Sequence, residues 1–518
     1  MTSARLPVFD RRRAGVLLPM SALDAALGRG GRAFIDWLAE AKFSVWQILP
    51  VGPVGNDRSP YWVRSDSAGS PEFLDPAELP DPGSPLGAEF LAVSGPWLRD
   101  YALFEALSQA HRGAPFWRWP EPLRDRDPGA LEEARRQLAP EVTRIEREQY
   151  AFYVQWKRLR EYARSRDVRL FGDLPFYVGP SSAETWTHRG LFRLAPGGEP
   201  AAVGGVPPDY FSELGQLWGN PVYDWGALQH SDFAWWLARV RAQLARLDLL
   251  RLDHFRALAA HWAIPAGAPD ARGGAWLSTP GEHLLHRLRE AFPDLPLVAE
   301  DLGVITEDVL TLKNGFGLPG MRVLQFGFDG LPDNEHVPHR HVRECVVYTG
   351  THDNDTTLGW YGTLDADTRQ RVDFYLRVAP GTMPEPLIRA AFASVGNLAV
   401  IPMQDLLGLG SEARTNTPGT DRGNWLWRLP PGALTPELAR HCAQLNHAFG
   451  RAGRPQRGCA PPTRDAVARP VRRVGRRVCT HTADRPAESF DHRRAHRQQR
   501  AVAATPESAP AAAQPERP

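Results

Sequence analysis

The chain has 518 residues, of which 42% are hydrophobic and 23% charged, and its formal net charge is +1 at pH 7. This length fits one large α/β barrel with insertions, or two to three domains, and excludes a single small domain. No run approaches about 18 consecutive apolar residues, so we expect no membrane-spanning helix. The first residues carry arginines but only a very short apolar run, which is unlike a signal peptide.

The cysteines and lysines of the chain indicate its cellular compartment and bear on nucleic-acid binding. The four cysteines lack metal-ligand spacing: Cys345, Cys442, Cys459 and Cys479. We therefore expect a reduced, cytoplasmic protein. Only three of the 61 basic residues are lysine: Lys42, Lys157 and Lys313. Because arginine is favoured throughout the chain, arginine clusters are weaker evidence than usual for nucleic-acid binding.

Eight short apolar or β-branched runs predict buried parallel strands. They lie at 15–19, 44–51, 169–178, 247–253, 295–301, 322–328, 345–350 and 398–405. Helical patterns lie between most of these runs or follow the last of them, at 31–41, 145–166, 283–292 and 436–451. This alternation predicts an α/β fold of the (β/α)8, or TIM, barrel type. An open doubly wound sheet is the alternative, but no G-x-G-x-x-G motif follows the first strand.

The spacing of the predicted strands is uneven. More than a hundred residues separate the second strand from the third, and about seventy separate the third from the fourth, which exceeds an ordinary βα unit. We therefore predict large insertions after strands 2 and 3. The resulting catalytic barrel spans 11–450, with inserted subdomains at about 55–165 and 179–230.

Residues 451–518 differ in character from the rest of the chain. They contain 15 Arg against six Asp and Glu, and one aromatic residue, Phe490. Such a segment cannot bury enough apolar surface to fold alone, so we predict a disordered Arg/Pro/Ala-rich tail. A nucleic-acid-binding arm and out-of-frame translation remain open as alternatives.

Charged side chains stand where apolar strands end. The stretch "LDLLRLDHFRAL" at 247–258 places Arg251, Asp253 and His254 at the end of an apolar run. In a parallel barrel the catalytic side chains lie at the carboxyl ends of the strands. A single carboxylate there often caps the next helix. Together with Arg251 and His352, however, four carboxylates converging on one rim favour a reaction site: Asp173, Asp253, Glu300 and Asp353.

Close carboxylates are what the chemistry of a glycosidic bond requires. One attacks the anomeric carbon as an ionised nucleophile, and a second, kept protonated, donates to the leaving oxygen. A neighbouring arginine favours the ionised nucleophile, and a histidine with a further carboxylate can hold sugar hydroxyls. Phosphoryl transfer assisted by Mg²⁺ also uses carboxylates, but it should bring a glycine-rich phosphate loop with a lysine, and the sequence has none.

Aromatic residues in loops agree with a carbohydrate site. The chain has 17 tryptophans, a high count. Flat aromatic rings bury the apolar faces of sugar rings, although the same side chains could simply pin long loops to the barrel. The aromatic residues concerned are Tyr61, Trp62, Tyr210, Phe211, Trp218, Trp425 and Trp427.

Over residues 11–450 the chain resembles the 4-α-glucanotransferases of the amylomaltase, or disproportionating enzyme, family, which is glycoside hydrolase family 77. The loop at 204–225 and the segment at 402–419 separate this family from ordinary α-amylases. The motifs that carry the resemblance are "WQILPVGPVGNDRSPY", "GDLPFYV", "GGVPPDYFSELGQLWGNPVYDW", "RLDHFRA", "VAEDLGVIT", "YTGTHDNDTTLGW", "PMQDLLGLGSEARTNTPGT" and "GNWLWRL".

The resemblance implies a retaining transferase that uses no cofactor or metal. It would move a segment of an α-1,4-glucan or maltooligosaccharide to another chain or to glucose, with no nucleic-acid or membrane partner. It also implies that Asp253 is the nucleophile that forms a covalent glucosyl-enzyme, that Glu300 is the acid/base and that Asp353 is the third carboxylate. The residues that would bind substrate are Tyr61, Asp173, Tyr210, Phe211, Trp218, Arg251, His352 and Asn416.

Tyr210, Phe211 and Trp218 would form part of a lid over the acceptor side. A lid that excludes water and binds a sugar favours transfer over hydrolysis. A retaining α-glucan hydrolase of the α-amylase type is the alternative, and a non-catalytic glucan-binding barrel is disfavoured by the three intact carboxylates. Two features depart from the family. The loop after the first strand is shorter and lacks a histidine, and Trp62 and Ser70 stand where Gln and Asn are usual.

Overall fold

A computed structural model describes residues 7–55, 57–81, 83–208, 212–420 and 422–452. They belong to one compact unit, Met1–Pro455. The strands are β1 (Arg13–Leu17), β2 (Val45–Gln47), β3 (Arg169–Leu174), β4 (Ala202–Val206), β5 (Gln216–Pro221), β6 (Leu249–Leu252), β7 (Ala260–Pro265), β8 (Ala275–Ser278), β9 (Leu297–Ala299), β10 (Gly320–Val323), β11 (Cys345–Tyr348) and β12 (Leu398–Pro402).

Helices lie between most of the strands. They are α1 (Arg29–Glu40), α2 (Ala88–Ala110), α3 (Glu121–Arg124), α4 (Pro128–Gln137), α5 (Ala139–Ser165), α6 (Ala183–Thr187), α7 (Trp225–His230), α8 (Ala234–Arg246), α9 (Gly281–Ala291), α10 (Glu307–Gly315), α11 (Thr357–Thr363), α12 (Ala366–Leu376), α13 (Glu385–Ala393), α14 (Met403–Leu406) and α15 (Pro436–Ala448). Within the described ranges, no helix combines the length and the apolar character needed to cross a membrane.

Eight strands form a parallel barrel. Hydrogen-bonded neighbours follow the order β10-β11-β12-β1-β2-β3-β6-β9. The N–H of Ala299 at the end of β9 donates to the carbonyl of Pro319, just before β10, at 2.8 Å, and this contact links the two ends of the sheet. Each strand overlaps one of the eight predicted runs, so the prediction of a (β/α)8 barrel is confirmed and the open sheet is excluded.

Alternation of side chains along the strands decides which residues face the barrel interior. In β6, Leu249 packs in the interior cluster, whereas Leu250 and Leu252 pack against the surrounding helices. Because successive side chains of a strand point to opposite faces, Arg251 and Asp253 lie on the same face as Leu249. The apolar run therefore fills the barrel and ends with its charged residues at the carboxyl end of the interior.

Long segments interrupt the barrel at three points. Helices α2 to α5 lie between β2 and β3, and β4, β5 and α6 to α8 lie between β3 and β6. The third insertion, which carries β7 and β8 after β6, was not predicted from the sequence. Its strands join β4 and β5 in one antiparallel sheet of order β5-β4-β7-β8.

Near the end of the described residues, the side chain of Arg451 joins the first strand of the barrel to the segment before the last one. This side chain is fully buried. Its guanidinium donates to six carbonyl oxygens, those of Arg13, Ala391, Phe392, Ser394, Gly396 and Asn397. Arg451 was predicted to be the first residue of the tail, but its side chain belongs to the packing of the barrel. The predicted disorder of 451–518 is therefore wrong at Arg451, and it stays a prediction for residues 453–518, which lie outside the described residues.

Candidate active site

The pairing of β3 with β6 places a carboxylate opposite an arginine inside the barrel. Asp173 and Arg251 are partners in the register of these strands. Nη1 of Arg251 donates to both carboxylate oxygens of Asp173, at 2.9 and 2.8 Å. The side chain of Asp173 has no solvent exposure and that of Arg251 only 5%, so a desolvated ion pair forms the floor of the site.

The same guanidinium reaches the two carboxylates above this floor. Nη1 of Arg251 lies 2.9 Å from Oδ1 of Asp253, and Nη2 lies 3.9 Å from Oε2 of Glu300. The two oxygens of Glu300 also accept hydrogen bonds from backbone N–H groups, that of His254 at 2.7 Å and that of Leu302 at 2.8 Å. The Asp253 side chain keeps 26% of its surface exposed, so a ligand can reach it.

Burial dominates the acid–base properties of these carboxylates. It raises the pKa of Asp253, and the negative charges of Asp173, Glu300 and Asp353 raise it further, against the opposing charge of Arg251. Burial also raises the pKa of Glu300, while Arg251 and the two backbone N–H donors oppose that shift. Burial and the mutual repulsion of the two carboxylates both favour a protonated form, so the pair is expected to hold a proton more readily than free carboxyl groups.

Asp353 lies on the other side of the opening, in the loop after β11. Its side chain is 40% exposed. Nδ2 of Asn416 donates to Oδ1 of Asp353 at 2.6 Å, and Nε2 of His352 lies 3.3 Å from Oδ2. The backbone N–H of Asn416 also donates to the carbonyl of His352 at 3.1 Å. Asn416, predicted to bind substrate, thus holds the third carboxylate in place.

Tyr61 connects His352, the residue before Asp353, to Asp173 at the floor of the site. Its hydroxyl donates to Oδ2 of Asp173 at 2.8 Å and lies 2.8 Å from Nε2 of His352. A phenol has one proton, and a carboxylate only accepts, so Nε2 of His352 must carry the proton that it donates to Tyr61. Burial lowers the pKa of His352, which keeps the ring neutral in this tautomer.

The predicted aromatic residues occupy different places around the opening. Trp218, on β5, is half-buried, and its ring packs edge-on against that of His254 with centroids 4.7 Å apart. Trp425 packs against both Tyr61 and His352, with centroids 6.0 Å apart in each case. Tyr210 and Phe211 lie outside the described residues, so their predicted place in a lid stays a prediction.

Two buried carboxylates that support the site were given no role in the sequence analysis. Asp405, after β12, accepts hydrogen bonds from the hydroxyls of Thr349 and Thr357 at 2.5 and 2.7 Å and from the Thr357 N–H at 2.7 Å. It therefore fixes both ends of the loop that carries His352 and Asp353. The signal was present, because Asp405 closes a predicted strand in the same way as the other carboxylates.

The second is Asp301, next to Glu300. It accepts hydrogen bonds from Nζ of Lys313 at 2.6 Å, from Nη1 of Arg322 at 3.2 Å and from the backbone N–H of Met321 at 2.6 Å. These contacts fix the position of the backbone next to Glu300. The sequence offered one signal: Lys313 is one of only three lysines in an arginine-rich chain.

No group of three or more His, Cys, Asp or Glu side chains in the described part of the chain is arranged to hold a metal ion. What the site offers is an ionisable carboxylate pair joined by one buried guanidinium, and a third carboxylate held by an amide and an imidazole.

Comparisons with known proteins identify the family to which the chain belongs. The model of glycoside hydrolase family 77, described as 4-alpha-glucanotransferase, matches residues 20–87 and 83–435. The 4-alpha-glucanotransferase of Thermus thermophilus is 43% identical over 489 residues, which cover 84% of this chain and 97% of that protein. That of Synechocystis is 41% identical over 500 residues, which cover 86% of this chain and 99% of that protein.

A solved structure extends the likeness to three dimensions. The amylomaltase from Streptococcus agalactiae in complex with acarbose superposes with a TM-score of 0.81 at 31% identity, covering 85% of this chain and 100% of that one. The chain therefore belongs to glycoside hydrolase family 77, the family of the 4-alpha-glucanotransferases.

Proposed function

We propose that the chain transfers a segment of an α-1,4-glucan to glucose or to a maltooligosaccharide with retention at the anomeric carbon, through a covalent glucosyl-enzyme on Asp253. The observation that carries this proposal is the contact of one buried guanidinium, that of Arg251, with both Asp253 and Glu300. The acarbose complex of the related amylomaltase supports glucan binding at such a site.

In the first step Asp253 attacks the anomeric carbon while the bond to the leaving oxygen breaks. The 2.9 Å ion pair with Arg251 favours the ionised form that this attack needs. Glu300 donates its proton to the leaving oxygen. Its side chain is only 11% exposed, and burial favours the protonated form. The leaving fragment departs as a sugar with a free hydroxyl.

In the second step the acceptor replaces the leaving fragment. Glu300, now a carboxylate, takes the proton of an acceptor hydroxyl, whose oxygen attacks the anomeric carbon and releases Asp253. Two displacements at one carbon give overall retention. Between the two steps the covalent intermediate must meet a sugar before water, and the half-buried Trp218 beside His254 supplies an apolar wall on which a sugar ring can rest.

Asp353 and Tyr61 would hold the sugar whose bond is broken. The carboxylate of Asp353 is pinned by Asn416 and His352 yet remains 40% exposed, so it can accept hydrogen bonds from ring hydroxyls. Such contacts strengthen as positive charge develops on the ring and so lower the barrier rather than only binding substrate.

A single incubation separates transfer from the alternative, a retaining α-glucan hydrolase. With maltotriose as the only sugar, transfer yields glucose and a ladder of longer maltooligosaccharides, with little net rise in reducing ends. Hydrolysis yields shorter sugars and a steady rise in reducing ends. We expect the ladder, and a steady rise would contradict the proposal.

Two variants test the roles of the carboxylates. Asp253→Asn and Glu300→Gln should each reduce transfer by roughly 10²-fold or more, because each removes one partner of the proton and bond exchange. A fluorinated glucosyl fluoride should make the covalent intermediate accumulate. The peptide that carries Asp253 should then gain the mass of a fluoroglucosyl group, while the anomeric fluoride is released. Near-normal transfer in either variant, or a label on another residue, would refute the assignment.

We also propose a cytoplasmic location and no nucleic-acid partner. Both cysteines in the described ranges, Cys345 and Cys442, are buried and form no disulfide, which fits a reducing compartment. Retention of the full chain on DNA in a salt-dependent manner would contradict the second part of this proposal.

A further inference from the structure

Trp62 is an exposed tryptophan beside the proposed site, and the reaction described above gives it no role. It directly follows Tyr61, whose hydroxyl donates to Asp173 at the floor of the site. Trp62 and Trp276 are the most exposed of the 17 tryptophans, each with 39% of its surface exposed. The position of Trp62 next to Tyr61 raises the question of what its indole contacts during the reaction.

Contacts with β5 hold the indole of Trp62 in one place. Its Nε1–H donates to Oδ1 of Asn220 at 3.0 Å. Asn220 is buried, and its own amide donates to the carbonyl of Val178 at 2.8 Å. The indole also occupies the space above Gly219, where a Cβ would lie 2.9 Å from the ring. The one polar atom of the indole is therefore paired within the protein, and what remains exposed is apolar ring surface.

Strand β5 connects Trp62 to the reaction centre. It also carries Trp218, whose ring packs against that of His254, the residue after the proposed nucleophile. Asn220, which holds Trp62, lies two residues beyond Trp218, and two residues of a strand span about 7 Å. A step of this size is comparable with the repeat of a glucan chain. A sugar that rests on Trp218 would therefore direct the next sugar towards Trp62.

We propose that Trp62 is a specificity-determining residue whose indole is the surface on which the second sugar of the acceptor rests. The inference rests on the function proposed above. Flat aromatic rings bury the apolar faces of sugars, and this indole is already fixed in position. A glucose acceptor ends at Trp218, whereas maltose extends to Trp62, so the chain should prefer maltose. Glutamine is usual at this position in the family, and the preference would distinguish this chain from such relatives.

A competition between two acceptors tests the inference on the full-length chain. The donor is α-maltotriosyl fluoride, and glucose and maltose are present at equal concentrations. Transfer to glucose gives maltotetraose, and transfer to maltose gives maltopentaose. Both acceptors react with the same covalent intermediate, so donor binding and the first step cancel. The initial ratio of maltopentaose to maltotetraose thus measures the ratio of the two kcat/KM values.

Two variants separate the ring of Trp62 from its hydrogen bond. Trp62→Gln removes the ring but keeps a side-chain donor, whereas Trp62→Phe keeps a flat ring and removes the donor. We expect Trp62→Gln to lower the product ratio at least about fivefold, which is the scale of one aromatic contact. Trp62→Phe should lower it by less than about twofold, because the apolar surface remains.

Trp276→Gln is the matched control. Trp276 is as exposed as Trp62 and lies on β8 of the same antiparallel sheet, where its ring packs on the guanidinium of Arg256 at 3.8 Å. Its replacement should leave the product ratio within about twofold of that of the unmodified chain. The ratio does not depend on the amount of active enzyme, so a partial loss of folded protein in any variant does not alter the comparison.

A product ratio that stays within about twofold in Trp62→Gln would overturn the inference, because the ring would then not contact the second sugar. Equal falls in Trp62→Gln and Trp62→Phe would also overturn it, since the position of the loop rather than an aromatic surface would set the ratio. Both results leave the proposed function intact. If the unmodified chain released fluoride but formed neither product, the proposed function itself would be refuted, and the inference with it.

Discussion

At the scale of the residue, the site is organised around the guanidinium of Arg251. It contacts Asp173, Asp253 and Glu300 from inside the barrel. The alternation in "LDLLRLD" is enough to predict that Arg251 and Asp253 share a face. That Asp173 lies opposite Arg251 depends on the register between β3 and β6. This register cannot be read from the pattern within one strand.

The first prediction concerns pH. Burial raises the pKa of both Asp253 and Glu300, and their protons leave in two steps that belong to the pair. In the mechanism proposed above the singly protonated pair is the active form, so kcat/KM for maltotriose should be bell-shaped. Activity should be lost as the pH falls through a raised pKa, which puts the acid limb above about pH 4, where an unperturbed carboxyl titrates.

Initial rates of disproportionation across the pH range measure both limbs. Fluoride release from α-maltotriosyl fluoride is the control. Its rate should still fall at low pH, where the proposed nucleophile becomes protonated. It should not fall at high pH, because fluoride leaves without a proton. An acid limb at or below about pH 4 would contradict the prediction.

The second prediction concerns Asn416. Replacing it with alanine removes the 2.6 Å hydrogen bond to Oδ1 of Asp353, so that the carboxylate can turn away from the sugar. We expect Asn416→Ala to lower kcat about tenfold with a smaller change in KM, since the contacts of Asp353 matter most as charge develops.

Asn424→Ala is the matched control for this variant. Asn424 lies in the same loop region, but its amide contacts Thr417 and Thr420 rather than a site residue. Its steady-state constants should stay within about twofold of those of the unmodified chain, as is usual for surface substitutions away from a site. A loss confined to KM in Asn416→Ala would indicate ground-state binding instead.

At the scale of the element, the strands that can be predicted from the sequence are those that are fully buried. All eight barrel strands were predicted, because strands buried on both faces read as continuous apolar runs. The sheet formed by β4, β5, β7 and β8 was not. Its strands come from two insertions, β8 is largely exposed, and their pairing joins residues such as Gly205 and Trp262 that are far apart in the chain.

The third prediction concerns the clasp of Arg451, which joins the end of the described chain to β1 and to the segment before β12. Arg451→Met keeps much of the buried volume but removes a donor from six carbonyl oxygens. Those of Phe392 and Ser394 keep a hydrogen bond from Arg12, and that of Asn397 keeps one from the N–H of Arg13, so the loss falls on the other three. Unpaired buried polar groups cost about 1–3 kcal/mol each, so we expect a loss of at least about 3 kcal/mol in unfolding free energy.

Chemical denaturation followed by tryptophan fluorescence measures this loss. Arg440→Met is the control, because Arg440 is exposed and, in the part of the chain that the structure describes, pairs with Glu437 on the surface of α15. It should change the unfolding free energy by no more than about 0.5 kcal/mol. Equal stability of the two variants would show that Arg451 does not clasp the barrel.

At the scale of the whole molecule, the fourth prediction concerns residues 456–518. Among the residues that the structure describes, the contacts that position the proposed site lie within the compact unit Met1–Pro455. We expect deletion of 456–518 to leave the maltotriose product ladder and kcat/KM within about twofold of those of the full chain. A loss of transfer on deletion would assign a role to this segment, and a loss of salt-sensitive DNA binding would support the arm considered above.

The scarcity of lysine has a practical consequence for the whole enzyme. Lys313 is buried against Asp301, which leaves Lys42 and Lys157 as the side-chain amines that reagents can reach in the described structure. Lys42 precedes β2, at the end of the barrel opposite the carboxylates, and Lys157 lies on the outer helix α5. Coupling through these amines should attach the enzyme to a solid support with its active-site opening towards the liquid.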